Sequence, residues 1–254
     1  NEDAESYYFV GKDNVPFHAI IWPAMLLAYG DLNLPTNVPA NQYILIKGEK
    51  ASASRGVGKN LNDYLDEWNP DSLRYALASI LPEQNDSEIS EDEMIRRNNE
   101  ELVAAWGNLV QRVFSQYINN FENLEFDFEL NDVDKKIINE GNDCFEKTGE
   151  LIEKVELKSS LQSVMGYVNK INAYLNETEP WKVIKEDSSR ATAILHTSLT
   201  AIEACASLFT PFMPTTSEIV KGAIEKNTNN NWSVNDIKKG APLQDIGHLF
   251  KKFD

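Results

Sequence analysis

The sequence predicts a mostly α-helical protein, in which a short α/β region precedes an antiparallel helical bundle. A β-branched and aromatic segment, Tyr7–Val10, runs through a polar turn into a stretch with helical apolar spacing, Val15–Tyr29, and together these are half of an α/β unit. From residue 83 onward, no segment typical of a strand follows for a long way. Apolar residues recur there at heptad-like spacing, from Ile95 to Tyr117 and again beyond residue 137, which is typical of helices packed side by side.

The α/β region has two candidate strands. The first, Tyr7–Val10, is expected to be buried, and either Asp13 or Asn14 can cap the helix that follows it. The second, Tyr43–Ile46, leads into a small and polar segment, Lys50–Gly56, which interrupts an otherwise ordered region. Functional groups commonly lie where strands of an α/β region end, so both turns are candidate sites.

Two short helices are expected to follow, at residues 61–68 and Ser72–Ile80. Asp71 directly precedes the second helix and is its expected cap. Trp68 and Trp106 are in helical phase with neighbouring apolar residues, so both are expected in the core.

The bundle is expected to include the helices Arg190–Phe209 and Thr215–Glu225, with prolines at the boundaries between elements. We place the domain boundary near Pro82, so that residues 1–82 form one domain and residues 83–254 the other.

Composition excludes several classes of function. The 24 basic and 40 acidic residues give a net charge of −16, whereas a protein that binds duplex DNA non-specifically is basic. Selective contact with unstacked bases through a small local patch stays open. The longest apolar stretch, Phe17–Tyr29, is too short to span a bilayer and contains His18 and Pro23. Two cysteines cannot build a cysteine-rich zinc site or a disulfide scaffold, so no metal site is expected.

The polar loop Lys50–Gly56 offers an ammonium group, hydroxyls and backbone N–H groups directly after a strand. Anionic oxygens of a polyphosphate need several such donors, and Lys50, Ser52 and Ser54 are the candidates. The alternative is a solvated linker. Spacing alone favours that alternative, because the loop has no Walker pattern.

The turn after the first strand holds Gly11 and Asp13, and a carboxylate there accepts either from ribose hydroxyls or from the helix N-terminus. On the helix that follows, Phe17, His18 and Trp22 occupy related positions and could line an apolar pocket with one polar group. A histidine among aromatic residues is more often an ordinary core residue than a ligand contact.

These residues resemble a family, the methionyl-tRNA synthetases of class I. The resemblance is carried by Phe9–His18, Trp22–Leu26, Leu34–Pro39 and Asn69–Tyr75, with Lys50–Gly56 in place of the family's KMSKS loop. In the bundle, Trp106–Arg112 and Glu179–Trp181 match its anticodon-reading elements. The resemblance covers essentially the whole chain. It implies the end of a Rossmann-type catalytic domain followed by an α-helical anticodon-binding domain, in a cytoplasmic enzyme.

The resemblance also implies roles for individual residues. ATP, which arrives with Mg²⁺ as the substrate complex, would be bound by Gly11, Asp13 and Lys50, with Asp13 on the ribose. The methionine pocket would be formed by Asn14, Phe17, His18 and Trp22. The loop that closes on the triphosphate would contribute Lys50, Ser52 and Ser54 to catalysis.

The chain departs from the family pattern in two respects. Ala53 replaces the usual second lysine of the loop, and loss of a cation that stabilises developing negative charge slows such reactions. The HIGH-type nucleotide motif of the family's front half is not in these residues, so the chain is not expected to form the adenylate unaided. We expect a piece of a longer chain rather than one subunit of a split enzyme, because a split sheet exposes edges.

The candidate anticodon site rests on three residues of the bundle. Asn108 and Arg112 are four residues apart, so they project from one face of a helix and offer an amide and a guanidinium to base edges. Trp181 follows Pro180 between two helices, where its ring is expected to be presented for stacking on a base rather than buried. Core packing of Trp181 is the alternative. For the chain as a whole, the alternative to a tRNA(Met)-charging enzyme is a non-catalytic helical tRNA-binding module.

Overall fold

The computed structural model describes residues 4–52, 55–225 and 232–253. The chain forms two compact units. Unit one comprises residues 1–61 and 80–91, and unit two comprises residues 62–79 and 92–254. Packing units need not coincide with functional domains, so the boundary near Pro82 stays a prediction.

Unit one contains five short strands within its described residues. β1, Val10–Gly11, pairs in parallel with β2, Ala40–Asn41. A second sheet has β3, Ile44–Ile46, at its centre, between the antiparallel β4, Glu49–Lys50, and the parallel β5, Ser87–Glu88. β5 lies in an acidic segment for which the sequence predicts no strand, and that prediction is wrong. The sheet nevertheless brings residues far apart in sequence to one place.

The helix of unit one begins with a π-helical turn, Phe17–Ile21, and continues as α1, Trp22–Tyr29. None of its residues is buried, although most are apolar, and Ile20, Met25 and Leu27 are about two-thirds exposed. The first strand is not buried either, because Phe9 is 59% exposed. A helix that is apolar all round is typical of the interior of a larger protein.

Unit two is an antiparallel bundle, which confirms the predicted fold class. Two of its helices, α2 and α4, each start one residue before the unit. The helices are α2, Leu61–Glu67, α3, Pro70–Ser79, α4, Glu91–Arg97, α5, Asn108–Asn120, α6, Asp132–Glu153, α7, Leu157–Thr178, α8, Pro180–Val183, α9, Ser188–Phe209, and α10, Pro214–Ala223. A π-helical segment, Asn98–Gly107, joins α4 to α5 without a break in the helical backbone.

The core of the bundle is built around α9, which packs against α5, α6, α7, α8 and α10. This helix is long and apolar enough to cross a membrane, but 94% of its most apolar 18-residue window is buried inside the bundle. Its apolar character therefore matches its place in the core. Trp106 and Trp68 are 2% and 3% exposed, so both are core residues as predicted. Trp106 packs on Phe209 with 5.4 Å between ring centroids.

An ion pair between a buried carboxylate and a partly exposed guanidinium joins the start of α6 to the start of α9. The side chain of Asp134 is fully buried and accepts hydrogen bonds from both terminal nitrogens of Arg190 and from the hydroxyl of Tyr174, at 2.5 Å. The same carboxylate accepts from the backbone N–H of Asn131, which closes a capping box at the N-terminus of α6. Burial alone would raise the pKa of Asp134, but these hydrogen bonds lower it below its ordinary value.

His196 of α9 is buried beside Phe128, with 5.1 Å between ring centroids. Desolvation and the nearby Lys239 ammonium lower the pKa of His196 to about 4, whereas Asp236 acts in the opposite direction. The folded protein therefore holds this imidazole neutral at pH values where an exposed histidine is protonated.

We expect His196 to make the bundle sensitive to mild acid. In the unfolded chain the imidazole has its ordinary pKa of about 6.5 and is protonated below that pH, whereas in the folded protein it stays neutral down to about pH 4. The free energy of unfolding should therefore fall by about 3 kcal/mol as pH drops from about 6.5 to 4. Urea unfolding at several pH values checks this. His196→Gln should flatten the dependence over that range, and an equal slope in both proteins would contradict the assignment.

Candidate functional site

In unit one, the turn after β1 and the β3–β4 hairpin meet around one aromatic ring, in what we call the Tyr43 cluster: Lys12, Asp13, Tyr43, Lys50 and Asp86. The Lys50 ammonium lies 2.8 Å from Asp13 Oδ2, and the Tyr43 hydroxyl donates to the other carboxylate oxygen of Asp13. Asp13 thus accepts hydrogen bonds from the hairpin. The helix after it has no side-chain cap, so the prediction that Asp13 or Asn14 caps that helix is wrong.

Lys12 and Asp86 form a second lysine–aspartate pair in the Tyr43 cluster, and this aspartate also accepts a hydrogen bond from Tyr43. The Lys12 ammonium lies 2.7 Å from Asp86 Oδ1, which also accepts from the backbone N–H of Tyr43 at 2.8 Å. Lys12 and Lys50 place their ammonium groups 3.9 and 3.7 Å from the centroid of the Tyr43 ring, within the range of cation–π attraction. Two cations and two carboxylates therefore converge on one ring.

The pKa directions in the Tyr43 cluster follow from these contacts. The hydrogen bond from Lys50, and then that from Tyr43, lower the pKa of Asp13, and the hydrogen bond to Asp13 raises the pKa of Lys50. The hydrogen bond from Lys12 lowers the pKa of Asp86. Asp13, Asp86 and Lys50 are thus charged at neutral pH. Lys50 keeps its charge in a solvated position, where an anionic ligand can reach it.

The polar loop continues directly from Lys50. Ser52 pairs with Val57 through two backbone hydrogen bonds of 3.0 Å, and the Arg55 guanidinium donates to the Lys50 carbonyl oxygen at 3.2 Å. A cavity of about 550 Å³ opens beside the loop, lined by Ile46, Ala51, Ser52 and residues 56–61. Ser54 and Ala53 lie outside the described residues, so the loop's second hydroxyl and the replaced lysine stay predictions.

The candidate methionine pocket contains an aromatic trio. Trp22 meets Tyr8 edge to face with 4.7 Å between ring centroids, and its ring centroid lies 6.3 Å from that of His18. The His18 imidazole donates to the Asn14 carbonyl oxygen at 3.1 Å. Phe17 is 56% exposed and stands apart from this trio among the described ring contacts. Gly11 is exposed at the end of β1.

In unit two, α5, α7 and α8 bring Arg112, Asn176 and Trp181 together. With Asn108, one turn before Arg112 on α5, these residues form what we call the Trp181 face. Arg112 donates to Asn176 Oδ1 at 2.9 Å, and its guanidinium carbon lies 5.4 Å from the centroid of the Trp181 ring. Asn108 is exposed one turn earlier on α5. The Trp181 ring is half-buried against the core, and its stacking on a base stays a prediction.

Local backbone geometry positions Trp181. Glu179 ends α7 in the left-handed conformation, with φ of 42°, and Pro180 occupies the first turn of α8. A left-handed residue followed by proline reverses the chain sharply. The reversal brings Trp181 back to Arg112.

Sequence reasoning missed Tyr43, Asp86 and Asn176, as well as Tyr8 in the aromatic trio. The sequence pattern places Tyr43 only in a strand, and Asp86 is one acid in an acidic run. Asn176 is one of several polar residues at the end of a helix. None of them carries a local signal, because each is recruited by a partner far away in sequence. Within the described ranges, no group of three or more His, Cys, Asp or Glu side chains is arranged to hold a metal ion.

Two family models match consecutive parts of the chain, and both describe the same kind of protein. Residues 1–114 match a family described as tRNA synthetases class I (M), and residues 128–254 match the anticodon binding domain of methionyl tRNA ligase. The first match contains the Tyr43 cluster and part of the Trp181 face. The second contains the rest of that face.

Individual relatives agree with this. A methionine–tRNA ligase of Roseiflexus castenholzii is 42% identical over 280 residues, covering 99% of this chain and 47% of the relative. One of Chloroflexus aggregans is 40% identical over 234 residues, covering 86% of this chain and 39% of the relative. The chain thus spans less than half the length of these curated relatives.

Solved structures share the fold. The apo form of methionyl-tRNA synthetase from Mycobacterium tuberculosis superposes with a TM-score of 0.85 at 21% identity, covering 98% of this chain and 50% of that one. The form of that enzyme bound by methionyl-adenylate gives the same TM-score and identity, with 97% and 50% covered.

Proposed function

Because the chain belongs to the methionyl-tRNA synthetase family, we propose that it forms part of a methionine–tRNA ligase and supplies the loop that closes on ATP and the surface that reads the CAU anticodon. The observation that carries this proposal is the Trp181 face, where an aromatic ring and a guanidinium are already in contact. Trp181 lies within the match to the anticodon-binding family, and Arg112 lies within the match to the class I synthetase family. We propose that the complete enzyme activates methionine in the cytoplasm and charges tRNA(Met).

The Trp181 face has the chemistry of a reader of unstacked bases. The partly exposed Trp181 ring is the candidate stacking surface, and the Arg112 guanidinium and Asn108 amide offer donors to base edges. Asn176 holds Arg112 in place, which reduces the loss of side-chain entropy on binding. Stacking and directed hydrogen bonds explain how a protein of net charge −16 can select RNA without a large basic surface.

The Tyr43 cluster supports a role in adenylate formation. The methionine carboxylate attacks the α-phosphate of ATP and pyrophosphate leaves, so negative charge grows on the phosphate oxygens. The Lys50 ammonium is the cation of the loop that can move onto those oxygens, with Ser52, and Ser54 by family pattern, as further donors. Asp13 would then exchange Lys50 for the ribose hydroxyls. Trp22 and His18, with Tyr8 behind them and Asn14 nearby, would enclose the methionine side chain, whereas the exposed Phe17 would close over it.

The exposed apolar surface of unit one favours the proposal that this chain is catalytic only as part of a larger protein. α1 has no buried residue, and the two-stranded parallel sheet β1–β2 is too small to stand alone. Both features fit a catalytic domain whose remaining strands cover them. A non-catalytic tRNA-binding module is the second candidate, favoured by Ala53 in the loop.

Binding of an RNA hairpin tests the anticodon proposal. We expect this chain to bind a hairpin with the CAU loop more tightly than one with a single changed anticodon base, at fixed salt. Trp181→Ala should weaken CAU binding by about 1–3 kcal/mol, the free energy of one base–aromatic stack. Fluorescence anisotropy of a labelled hairpin measures both quantities.

Trp232→Ala is the matched control, because Trp232 is 48% exposed and lies outside the Trp181 face. This variant should bind the CAU hairpin as the parent chain does. Equal affinity of the parent for all anticodon hairpins, or no binding at all, would contradict the proposal.

A further inference from the structure

A cavity of unit two adjoins the Trp181 face. It has a volume of about 330 Å³ and lies between the start of α5 and the segment that follows residue 247. The residues that line it are Val103, Ala104, Gly107, Asn108, Gln111, His248, Leu249 and Phe250. We call it the His248 pocket. Pockets for small molecules begin at about 300 Å³, so its size suits one planar group rather than a long chain.

The wall formed by residues 248–250 is held firmly in place. Asn98 donates to the Lys251 carbonyl oxygen at 2.9 Å, and Asn99 both donates to and accepts from the backbone of Phe253, at 2.8 and 3.0 Å. The ring of Phe253 also lies 4.3 Å from that of Trp68, between centroids. The pocket is therefore a fixed feature of the bundle.

Gly107 allows the wall to approach the helix. A Cβ added at Gly107 would lie 3.4 Å from the Phe250 ring and 2.9 Å from the carbonyl oxygen of Leu102. The absence of a side chain lets the nearly buried Phe250 form the floor of the pocket. A larger residue at this position would fill the space.

The lining has two kinds of surface. Val103, Ala104, Leu249 and Phe250 give apolar walls, which suit the π-faces of a nucleobase. Asn108, Gln111 and His248 give amide and imidazole groups, which suit its hydrogen-bonding edge. This combination of flat apolar contact with a few polar groups is typical of base recognition and of small-molecule pockets generally.

Charge and position favour RNA as the occupant. Asn108 belongs both to the pocket and to the Trp181 face, and Arg112 lies one helical turn further along α5. The lining contains no carboxylate, although the chain as a whole carries a charge of −16. Two exposed lysines, Lys251 and Lys252, directly follow Phe250 and are placed to meet a phosphate backbone.

We propose that the His248 pocket binds a second unstacked base of the same anticodon loop, next to the base that stacks on Trp181. This inference rests on the proposed function and adds a binding site for a second base to the one formed by the Trp181 face. Asn108 would lie between the two bases. The anticodon loop is the expected occupant because consecutive nucleotides of an opened loop can reach adjacent sites on one surface.

The test combines protein variants with abasic hairpins. Ala104→Leu fills the pocket from an exposed lining position, and His248→Ala removes one polar group, so neither change alters the core. Each should weaken binding of the CAU hairpin to this chain about tenfold, within the range of one base contact. Gln244→Ala, on an exposed residue of the same segment outside the lining, is the control and should leave affinity unchanged.

Three further hairpins, each abasic at one anticodon position, identify the base. The loss caused by Ala104→Leu and His248→Ala should vanish on one abasic hairpin, and the loss caused by Trp181→Ala should vanish on a different one. Parental affinity in both pocket variants would overturn the pocket while leaving the Trp181 face intact. If all the losses vanished on the same hairpin, the second base would be refuted, and no CAU binding by the parent would overturn both proposals.

Discussion

Asp134→Ala should lower the free energy of unfolding by about 3 kcal/mol, the lower end of the loss when one partner of a buried ion pair is removed, because the Arg190 side chain is 25% exposed. The side chain is fully buried, and Arg190, Tyr174 and the N–H of Asn131 all donate to it. Removing the carboxylate leaves a guanidinium, a hydroxyl and a helix N-terminus without their acceptor. Because a domain is stable by only about 5–15 kcal/mol, this single change should remove a large fraction of the bundle's stability.

Urea unfolding followed by far-ultraviolet circular dichroism at neutral pH measures the effect of Asp134→Ala. Asp132→Asn is the matched control, since Asp132 lies in the same first turn of α6 but is exposed. We expect the control to shift stability by no more than about 0.5–1 kcal/mol, through the helix dipole. The pKa of Asp134 is lowered, so its contribution is present above the ordinary aspartate pKa and disappears in stronger acid. Similar losses in both variants would mean that the ion pair contributes little.

Lys50→Ala should lower the rate of adenylate formation in a complete enzyme about 10²–10³-fold, the usual cost of removing one group that stabilises developing negative charge. In the structure Lys50 is held by Asp13 and lies over Tyr43, ready to exchange its carboxylate partner for a phosphate. The contact is solvated on both sides, so the change should leave the fold intact. ATP–pyrophosphate exchange measures the rate, and thermal unfolding measures the fold.

Lys47→Asn provides the matched control for Lys50→Ala. Lys47 is an exposed cation of the same hairpin, and its backbone has a φ of 52°, which asparagine tolerates. Removing that charge should change the exchange rate little. An equal decrease in the two variants would mean that general electrostatic attraction, rather than the position of Lys50, accounts for the effect.

The bundle is predictable from sequence because its helices are long and their apolar residues repeat with a regular period. α9 extends from Ser188 to Phe209, against the predicted Arg190–Phe209, and α10 from Pro214 to Ala223, against Thr215–Glu225. The burial of Trp68 and Trp106 follows from the same periodicity. Such patterns are local, and tertiary contacts reinforce them rather than replace them.

Tertiary contacts decide what the sequence does not predict. The prediction that Asp71 caps the helix after it is wrong, because Asp71 lies inside the first turn of α3 and its N–H donates to Asn69 Oδ1. The Asp71 carboxylate is buried and accepts from the N–H and hydroxyl of Thr216, at 2.6 and 2.9 Å. β5 has only two residues, both polar, and it forms because its backbone pairs with the edge of β3. Asp13 is drawn away from its helix by Lys50 and Tyr43 in the same manner. Sequence motifs predict the candidate residues themselves, whereas their partners depend on contacts between segments that are distant in the sequence.

The uncovered helix α1 has a consequence for how this chain behaves by itself in solution. Apolar surface on every side of a helix attracts other copies of the same surface. The net charge of −16 opposes this, since like-charged molecules repel each other over about 10 Å in 0.1 M salt. Colloidal stability therefore depends on ionic strength and on pH relative to the isoelectric point, near 4.6. Low salt and neutral or alkaline buffer keep the chain dispersed, whereas salt or acid drives it toward self-association.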